Sequence, residues 1–390
     1  MSAPTQPPTI RATAKAPPGL CRLLERLFPG AVLVEARPLA PDAAADSGAS
    51  GEAEETGKAS GYGEPLLLRL RQGDHEQRLV FHTATPNEFG HDRRSDRAQI
   101  NLLSYDTFGR IPRHVRALDV GAIRHLGHGG QAGQDPGDLL SLRDAGEFYL
   151  LTTYAEGTVY AEDLRRVARS GAASPLDLAR AQALARYLVD LHRERRHEPL
   201  LYRRAVRDLV GHGEGIFGVI DGYPEHTPGA PAERLRAIEQ RAVEWRWKLR
   251  DRAGRLARTH GDFHPFNIVF GRDLELTLLD ASRGCVGDPA DDVTCLAINY
   301  PFFALEHPRA WKGGLGLLWR TFWDTYLEGT HDEALLDVAP PFWAWRALVV
   351  ANPRFYPALP AEARDRLLTL VERMLAAPRL ELEQVEALFQ

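Results

Sequence analysis

Apolar side chains along this chain change their spacing near residue 150. Before that point they come in short runs. A Leu- and Arg-rich segment over 20–28 has helical character, and the Ala-Val-Leu-Val run at 31–34 suits a strand. Two further β-rich runs, 65–71 and 77–83, are joined by Gln72, Gly73, Asp74 and His75; Gly-Asp between such runs predicts a hairpin. Ile100 and Leu103 suggest one helix over about 92–105, and residues 111–120 and 148–153 read as strands.

Past Thr153 the period turns helical. Ser174, Pro175 and Asp177 form a capping box with proline at the first helical position, and Leu184, Leu188 and Leu191 carry that helix to about His192. Further helices are expected over 202–210, 232–250 and most of the chain from 303. The organisation predicted is a flexible leader (1–17), a sheet-rich unit (18–151) interrupted by a low-complexity Ala/Gly/Ser/Glu loop (40–64), and a larger helical unit (152–390).

Composition narrows the class. Hydrophobic residues make up 44% and charged residues 26%, which excludes collagen-like, coiled-coil and wholly disordered chains. A net charge of −5 and no face-wide basic run give no reason to expect nucleic acid. No run of about 18 apolar residues is present, so no membrane partner is expected, and the Pro- and Thr-rich start does not read as a secretory signal. Cys21, Cys285 and Cys295 lack metal-ligand spacing and read as reduced thiols of a cytoplasmic protein. Of the 48 basic side chains only Lys15, Lys58, Lys248 and Lys312 are lysines.

The chemistry concentrates between Arg258 and Asp280. Two apolar runs flank a polar loop carrying His260, Asp262, His264 and Asn267, and Asp280 ends the second run. A loop carboxylate can accept a proton from a hydroxyl, while an amide oxygen and a second carboxylate are hard ligands of the kind Mg²⁺ takes alongside phosphate oxygens. Asp262 and Asn267, five positions apart, can turn toward one phosphate, as phosphoryl transfer requires.

His260, Gly261, Asp262 and, after four residues, Asn267 resemble the catalytic loop of the aminoglycoside phosphotransferase and choline kinase-like family; Asp280 with Gly284 resembles its metal-binding segment. The run Gly287-Asp288-Pro289-Ala290-Asp291-Asp292 is similar to the motif that follows there. The resemblance implies an α+β, two-lobed protein kinase-like fold, with a small mixed β-sheet N-lobe bearing one helix and a mainly helical C-lobe. It implies transfer of the γ-phosphate of ATP or GTP to a hydroxyl of a small-molecule acceptor. Asp262 would be the catalytic base, Asn267 and Asp280 the Mg²⁺ ligands, Asp292 and His260 structural supports, and residues 152–154 (Thr152, Thr153, Tyr154) the hinge that meets the nucleotide base. His264 is read either as part of the loop scaffold or as a substrate contact.

One part of the pattern departs. Kinase-like enzymes place a lysine on the third strand, paired with a helix glutamate. Here alternation puts Val80 and His82 on one face, so His82 stands where the lysine is expected, with Asp96 or Gln99 as the nearest counterpart of the glutamate. His82 either contacts phosphate or is a core-facing strand residue, and Arg69 or Arg71 could supply the missing charge. Two other readings follow: a non-catalytic nucleotide-binding regulator, and a nucleotidyl (AMP) transferase.

Gly213, Gly215 and Gly218 spell a G-x-G-x-x-G motif, but a helical pattern precedes it and no βαβ unit surrounds it. Residues 210–224 are therefore expected to be a flexible loop, a candidate substrate lid whose Glu214 and Asp221 either meet a cationic substrate or are solvated. Residues 300–356 hold 13 of the 33 aromatic residues, and Trp319, Phe322, Trp323 and Tyr326 share one helix face, read as core in preference to an aromatic substrate cleft.

Overall fold

The structure, a computed structural model, describes residues 11–12, 17, 19–39, 63, 65–124, 142–281 and 283–389. Most of the expected leader and the low-complexity loop lie outside the described residues. Six strands form one sheet in the order β1-β2-β3-β4-β6-β5: β1 (Arg11–Ala12), β2 (Val32–Pro38), β3 (Leu66–Gln72), β4 (His75–Thr83), β5 (Ala117–Arg124) and β6 (Ala145–Thr153). The short β1 runs parallel to β2, so part of the segment expected to be a flexible leader is a strand. All other pairs in this sheet are antiparallel. The hairpin between β3 and β4 closes with Gln72 opposite His75, and Gly73 turns there at φ +60°, a conformation that costs glycine little.

Two helices accompany the sheet, α1 (Leu20–Leu27) and α2 (Arg94–Thr107). Leu20 and Leu24 of α1 pack on Leu66, Leu68, Leu70, Leu79, Phe81 and Leu151, closing a small core on one sheet face. The opposite face carries Val80 and Thr152, directly paired, and Leu150, which joins the much larger core of the helical lobe. Val80 and His82 therefore look toward the second lobe. Residues 111–116, expected as strand, instead turn through Arg113 at φ +60° and hydrogen-bond to the helical lobe: Leu278 N donates to Arg113 O (2.9 Å) and Val115 N to Leu278 O (3.0 Å).

The second lobe begins with β7 (Thr158–Val159), α3 (Tyr160–Ser170), α4 (Pro175–His192), α5 (Pro199–Gly211), α6 (Ile216–Asp221) and α7 (Ala232–Leu249). Then come β8 (Ala257–Arg258), β9 (Ile268–Phe270), β10 (Leu276–Leu278), β11 (Val286–Gly287), α8 (Pro289–Ala297), α9 (Asn299–Glu306), α10 (Gly316–Thr330), α11 (Ala334–Val338), α12 (Pro340–Ala351) and α13 (Ala361–Ala376). The α4 capping box forms as the sequence indicates, with Ser174 Oγ accepting from Asp177 N (3.3 Å) and Asp177 Oδ2 from Ser174 N (2.7 Å). The aromatic stripe of α10 is core: Trp319, Phe322, Trp323 and Tyr326 are all at most 1% exposed. Among the described residues no helix is long and apolar enough to cross a membrane.

The segment 210–224 is not a loop. It contains α6, and its glycines from Gly213 onward are close-packing points: a Cβ on Gly218 would lie 1.8 Å from Gly213 O, and one on Gly213 would lie 2.4 Å from Gly90 Cα. Gly213 meets the β4–α2 connection, which crosses from the sheet lobe and seats on the helical one. Phe89 packs tilted against Phe355, ring centroids 4.5 Å apart, and covers Gly222, while His91 Nε2 sits 3.5 Å from Glu214 Oε1.

Candidate active site

Two short antiparallel ribbons build the site. Strand β9 pairs with β10 so that Ile268 faces Leu278, and Leu279 N donates to Asn267 O at 2.9 Å. Asn267 and Asp280 thus leave the same end of one ribbon. Strand β8 pairs with β11, which brings the loop after Arg258 beside the start of α8.

That loop is fastened by Asp292. Fully buried on α8, its carboxylate accepts from His260 N (2.7 Å), Gly261 N (2.8 Å) and His192 Nε2 (3.1 Å), and His192 Nδ1 meets Tyr326 Oη at 2.7 Å. Burial pushes the Asp292 carboxyl up, but His192 and the backbone donors outweigh it and hold it below the usual carboxylate range. His260 is also fully buried; burial lowers its pKa against the pull of Asp292, Asp262 and Asp280.

The Asp262 carboxylate is partnered on both oxygens. Asn267 Nδ2 donates to Oδ2 (3.2 Å) and to the Asp262 carbonyl (3.1 Å). Oδ1 lies 2.8 Å from Arg283 Nη1 and 2.8 Å from Arg346 Nη1, with the Cys295 thiol at 3.6 Å. Both arginines also donate to Gly261 O, each at 3.1 Å. Sequence reasoning missed Arg283 and Arg346. Arg283 lies three residues past Asp280 and could have been suspected; Arg346 is brought in from α12 by the tertiary fold alone. Burial opposes the charge on each, and the surrounding carboxylates more than restore it. Asp291, paired with Arg346 at 2.6 Å, has its carboxyl pushed up to about 6 by burial.

Asn267 and Asp280 suit a hard cation. The two donations of Asn267 Nδ2 to Asp262 turn its Oδ1 the other way, and Asp280 is exposed, held at φ +49°, a left-handed conformation that Asp tolerates better than most residues. No group of three or more His, Cys, Asp and Glu side chains able to hold a metal occurs among the described residues.

On the sheet side, His82 Nε2 meets Thr152 Oγ1 at 3.0 Å, and burial pushes the imidazole down to about pKa 4. Asp96 is not brought to it. Its Oδ2 accepts from Arg93 N (3.1 Å), capping α2, and Ser95 Oγ donates to Oδ1 (3.3 Å). The helix does send a buried charge to the sheet, but it is Arg97, whose Nε bonds both oxygens of Glu147 at 3.0 and 2.8 Å. Arg69 lies beside Glu35 (3.5 Å) and Glu76 (4.0 Å). At the end of β6, Tyr154 N donates to Arg78 O (3.2 Å) and Arg116 N to Thr153 Oγ1 (3.0 Å). The Arg78 guanidinium stacks on the Tyr154 ring at 4.7 Å and pairs with Glu156. Glu214, a candidate contact for a cationic substrate, is buried and bonded to Arg283 (3.1 Å). Asp221, its companion in that reading, is exposed at the end of α6. His264 caps the turn at 265–267, its Nδ1 accepting from Phe266 N (3.3 Å).

The sequence profile of the phosphotransferase enzyme family (APH) matches residues 108–320, more than half of the chain. No curated protein matches it as a sequence relative. Among solved structures, a provisionally named fructosamine-3-kinase from Haemophilus somnus 129PT superposes with a TM-score of 0.50 at 8% identity, over 90% of this chain and 96% of that one. A thermostable mutant of an aminoglycoside phosphotransferase, solved with ADP and hygromycin B, gives 0.49 at 11% identity, over 92% and 99%. A choline kinase from Cryptosporidium parvum Iowa II gives 0.45 at 12%, over 85% and 90%. The fold is the two-lobed, kinase-like α+β architecture.

Proposed function

The chain belongs to the phosphotransferase enzyme family, and from that premise we propose that it moves the γ-phosphate of ATP, or of GTP, to a hydroxyl of a small-molecule acceptor in the cytoplasm. The observation that carries this reading is the convergence of Asp262, Asn267 and Asp280 at the ends of two joined strands, with the Asp262 loop anchored on the buried Asp292.

In this reading Asp262 orients the acceptor hydroxyl and takes its proton as the oxygen bonds to the γ-phosphorus; the bond from that phosphorus to the bridging oxygen breaks and the nucleoside diphosphate leaves. Asn267 Oδ1 and Asp280 would hold Mg²⁺, which supplies neutralisation of phosphate charge. Asp292 and His260 keep the loop in shape. Val80 would lie against the base, with residues 152–154 as the hinge and His82 beneath the phosphates. The altered sheet-side contacts favour a second reading, a nucleotide-binding regulator without transfer: His82 is held neutral at pH 7, so β4 offers the phosphates no cation there.

Incubation with Mg²⁺ and ATP or GTP and a metabolite pool, followed by mass spectrometry, tests these readings. Added phosphate supports transfer and identifies the acceptor. Added AMP would show nucleotidyl transfer, and an unchanged pool the regulator.

A further inference from the structure

We propose that Arg346 is a positioning residue that sets the orientation of the Asp262 carboxylate. The inference rests on the reading of Asp262 as the acceptor-orienting group. Arg346 lies 84 residues beyond Asp262 in the chain, on α12, and is 6% exposed. One guanidinium reaches three acceptors on two other elements: Asp262 Oδ1 (2.8 Å), Gly261 O (3.1 Å) and Asp291 Oδ1 (2.6 Å). Its plane rests on the Trp345 ring at 3.8 Å, and the Trp345 indole N–H donates to Glu214 O at 2.7 Å.

Arg283 makes a matching set. It donates to Gly261 O, pairs with Asp262 Oδ1, bonds Glu214 Oε2 and lies 4.9 Å from the same indole. The two arginines differ in what holds them. Arg283 follows Asp280 on the same connection, whereas Arg346 is fixed to a helix buried along most of its length. Asp262 Oδ1 is therefore tied to the body of the lobe, and rotation of the carboxylate about χ2 would break two charge-assisted bonds. That leaves Oδ2, beside Asn267, as the oxygen presented to an incoming hydroxyl. Two guanidinium nitrogens share the work, Nη1 reaching Asp262 and Nη2 reaching Gly261 and Asp291, a rigid span that the single nitrogen of an ammonium does not reproduce.

The test compares wild type, Arg346→Ala and Arg346→Lys in Mg²⁺-ATP turnover with water as the probe acceptor, and in crystal structures grown under one condition. A carboxylate displaced by about 1 Å is expected to lower kcat roughly 100-fold. The KM for ATP should stay within about twofold, because Arg346 touches no nucleotide-facing element. Arg346→Lys should recover little, and millimolar guanidinium added to Arg346→Ala should recover part of the loss. In the Arg346→Ala crystal, Asp262 Oδ1 should leave its present position. An unchanged kcat with Asp262 unmoved would overturn the proposal, as would full recovery by lysine, which would reduce the role to charge. Should Arg346→Ala fail to fold, Arg346→Gln is read in the same ways. If wild type turns over neither water nor any acceptor, the phosphotransferase reading fails by itself, and the crystal position of Asp262 still decides the role of Arg346.

Discussion

His82 Nε2 lies 3.0 Å from Thr152 Oγ1, joining neighbouring strands on the sheet face turned toward the helical lobe. Burial keeps the imidazole uncharged through the neutral range. ATP affinity of the wild type should therefore be flat from pH 6 to 8, and His82→Lys should tighten it about tenfold, the worth of roughly one charge-assisted hydrogen bond. Calorimetric titration at three pH values reads both. An unaltered affinity in the lysine variant would place the phosphates elsewhere.

Stability should fall as pH drops below neutrality. His82, His91, His114 and His260 all have pKa values lowered mainly by burial, to about 4 for His82 and about 3 for His114. The unfolded chain binds protons first, near pH 6.5, so each group's contribution is complete above that value and is lost as pH falls toward the folded pKa, at most about 2 kcal/mol per histidine by pH 5. Asp291 works in the opposite direction: its carboxyl, raised to about 6 by burial, protonates earlier in the fold and offsets part of the loss. Denaturant midpoints at pH 7.5, 6.5 and 5.5 should decline in that order, and less steeply in His82→Gln.

Asp262→Ala should lower transfer by at least about 100-fold while leaving nucleotide affinity nearly intact, since general-base assistance contributes about 10²–10⁴. The same change leaves Arg283 and Arg346 without their shared carboxylate, so thermal unfolding should also come earlier. Normal turnover by the variant would remove Asp262 from the mechanism.

Asp292→Ala removes the acceptor of two loop amides and of His192, all buried. Leaving those donors unpaired should cost about 3–5 kcal/mol, measurable by urea denaturation. Asp292→Asn keeps an acceptor and should cost less.

Gly218→Ala would set a methyl group 1.8 Å from the Gly213 carbonyl oxygen, inside the packed turn before α6. A loss above about 3 kcal/mol is expected, since backbone on both sides must move. Gly109→Ala, where no atom lies within 4 Å of the added carbon, serves as the control.

Local signals in the sequence were sufficient for much of this architecture. The hairpin at Gly73 and the capped helix from Ser174 are both specified by neighbours a few residues apart, and both form. The strand expected over 111–120 begins only at Ala117, because backbone groups of Arg113 and Val115 are taken by Leu278, a partner 163–165 residues away that no local pattern reveals. The glycines at 213–218 suggested freedom to move; glycine is equally the residue that lets two backbones touch, and only the tertiary partner, Gly90, distinguishes the two meanings. Asp262, Asp280 and Asp292 were legible as parts of motifs. Arg346 was not, because a lone arginine in an apolar helix carries no sign of what it will reach.

The seating of Phe89, Gly90 and His91 on the helical lobe makes the two lobes poor modules. A fragment ending near residue 151 would expose Phe89 and take Glu214 away from His91, and a helical lobe alone would carry an uncovered Gly213–Gly222 surface. Exchange of the sheet lobe between relatives would succeed only if residues 87–91 travelled together with their seat.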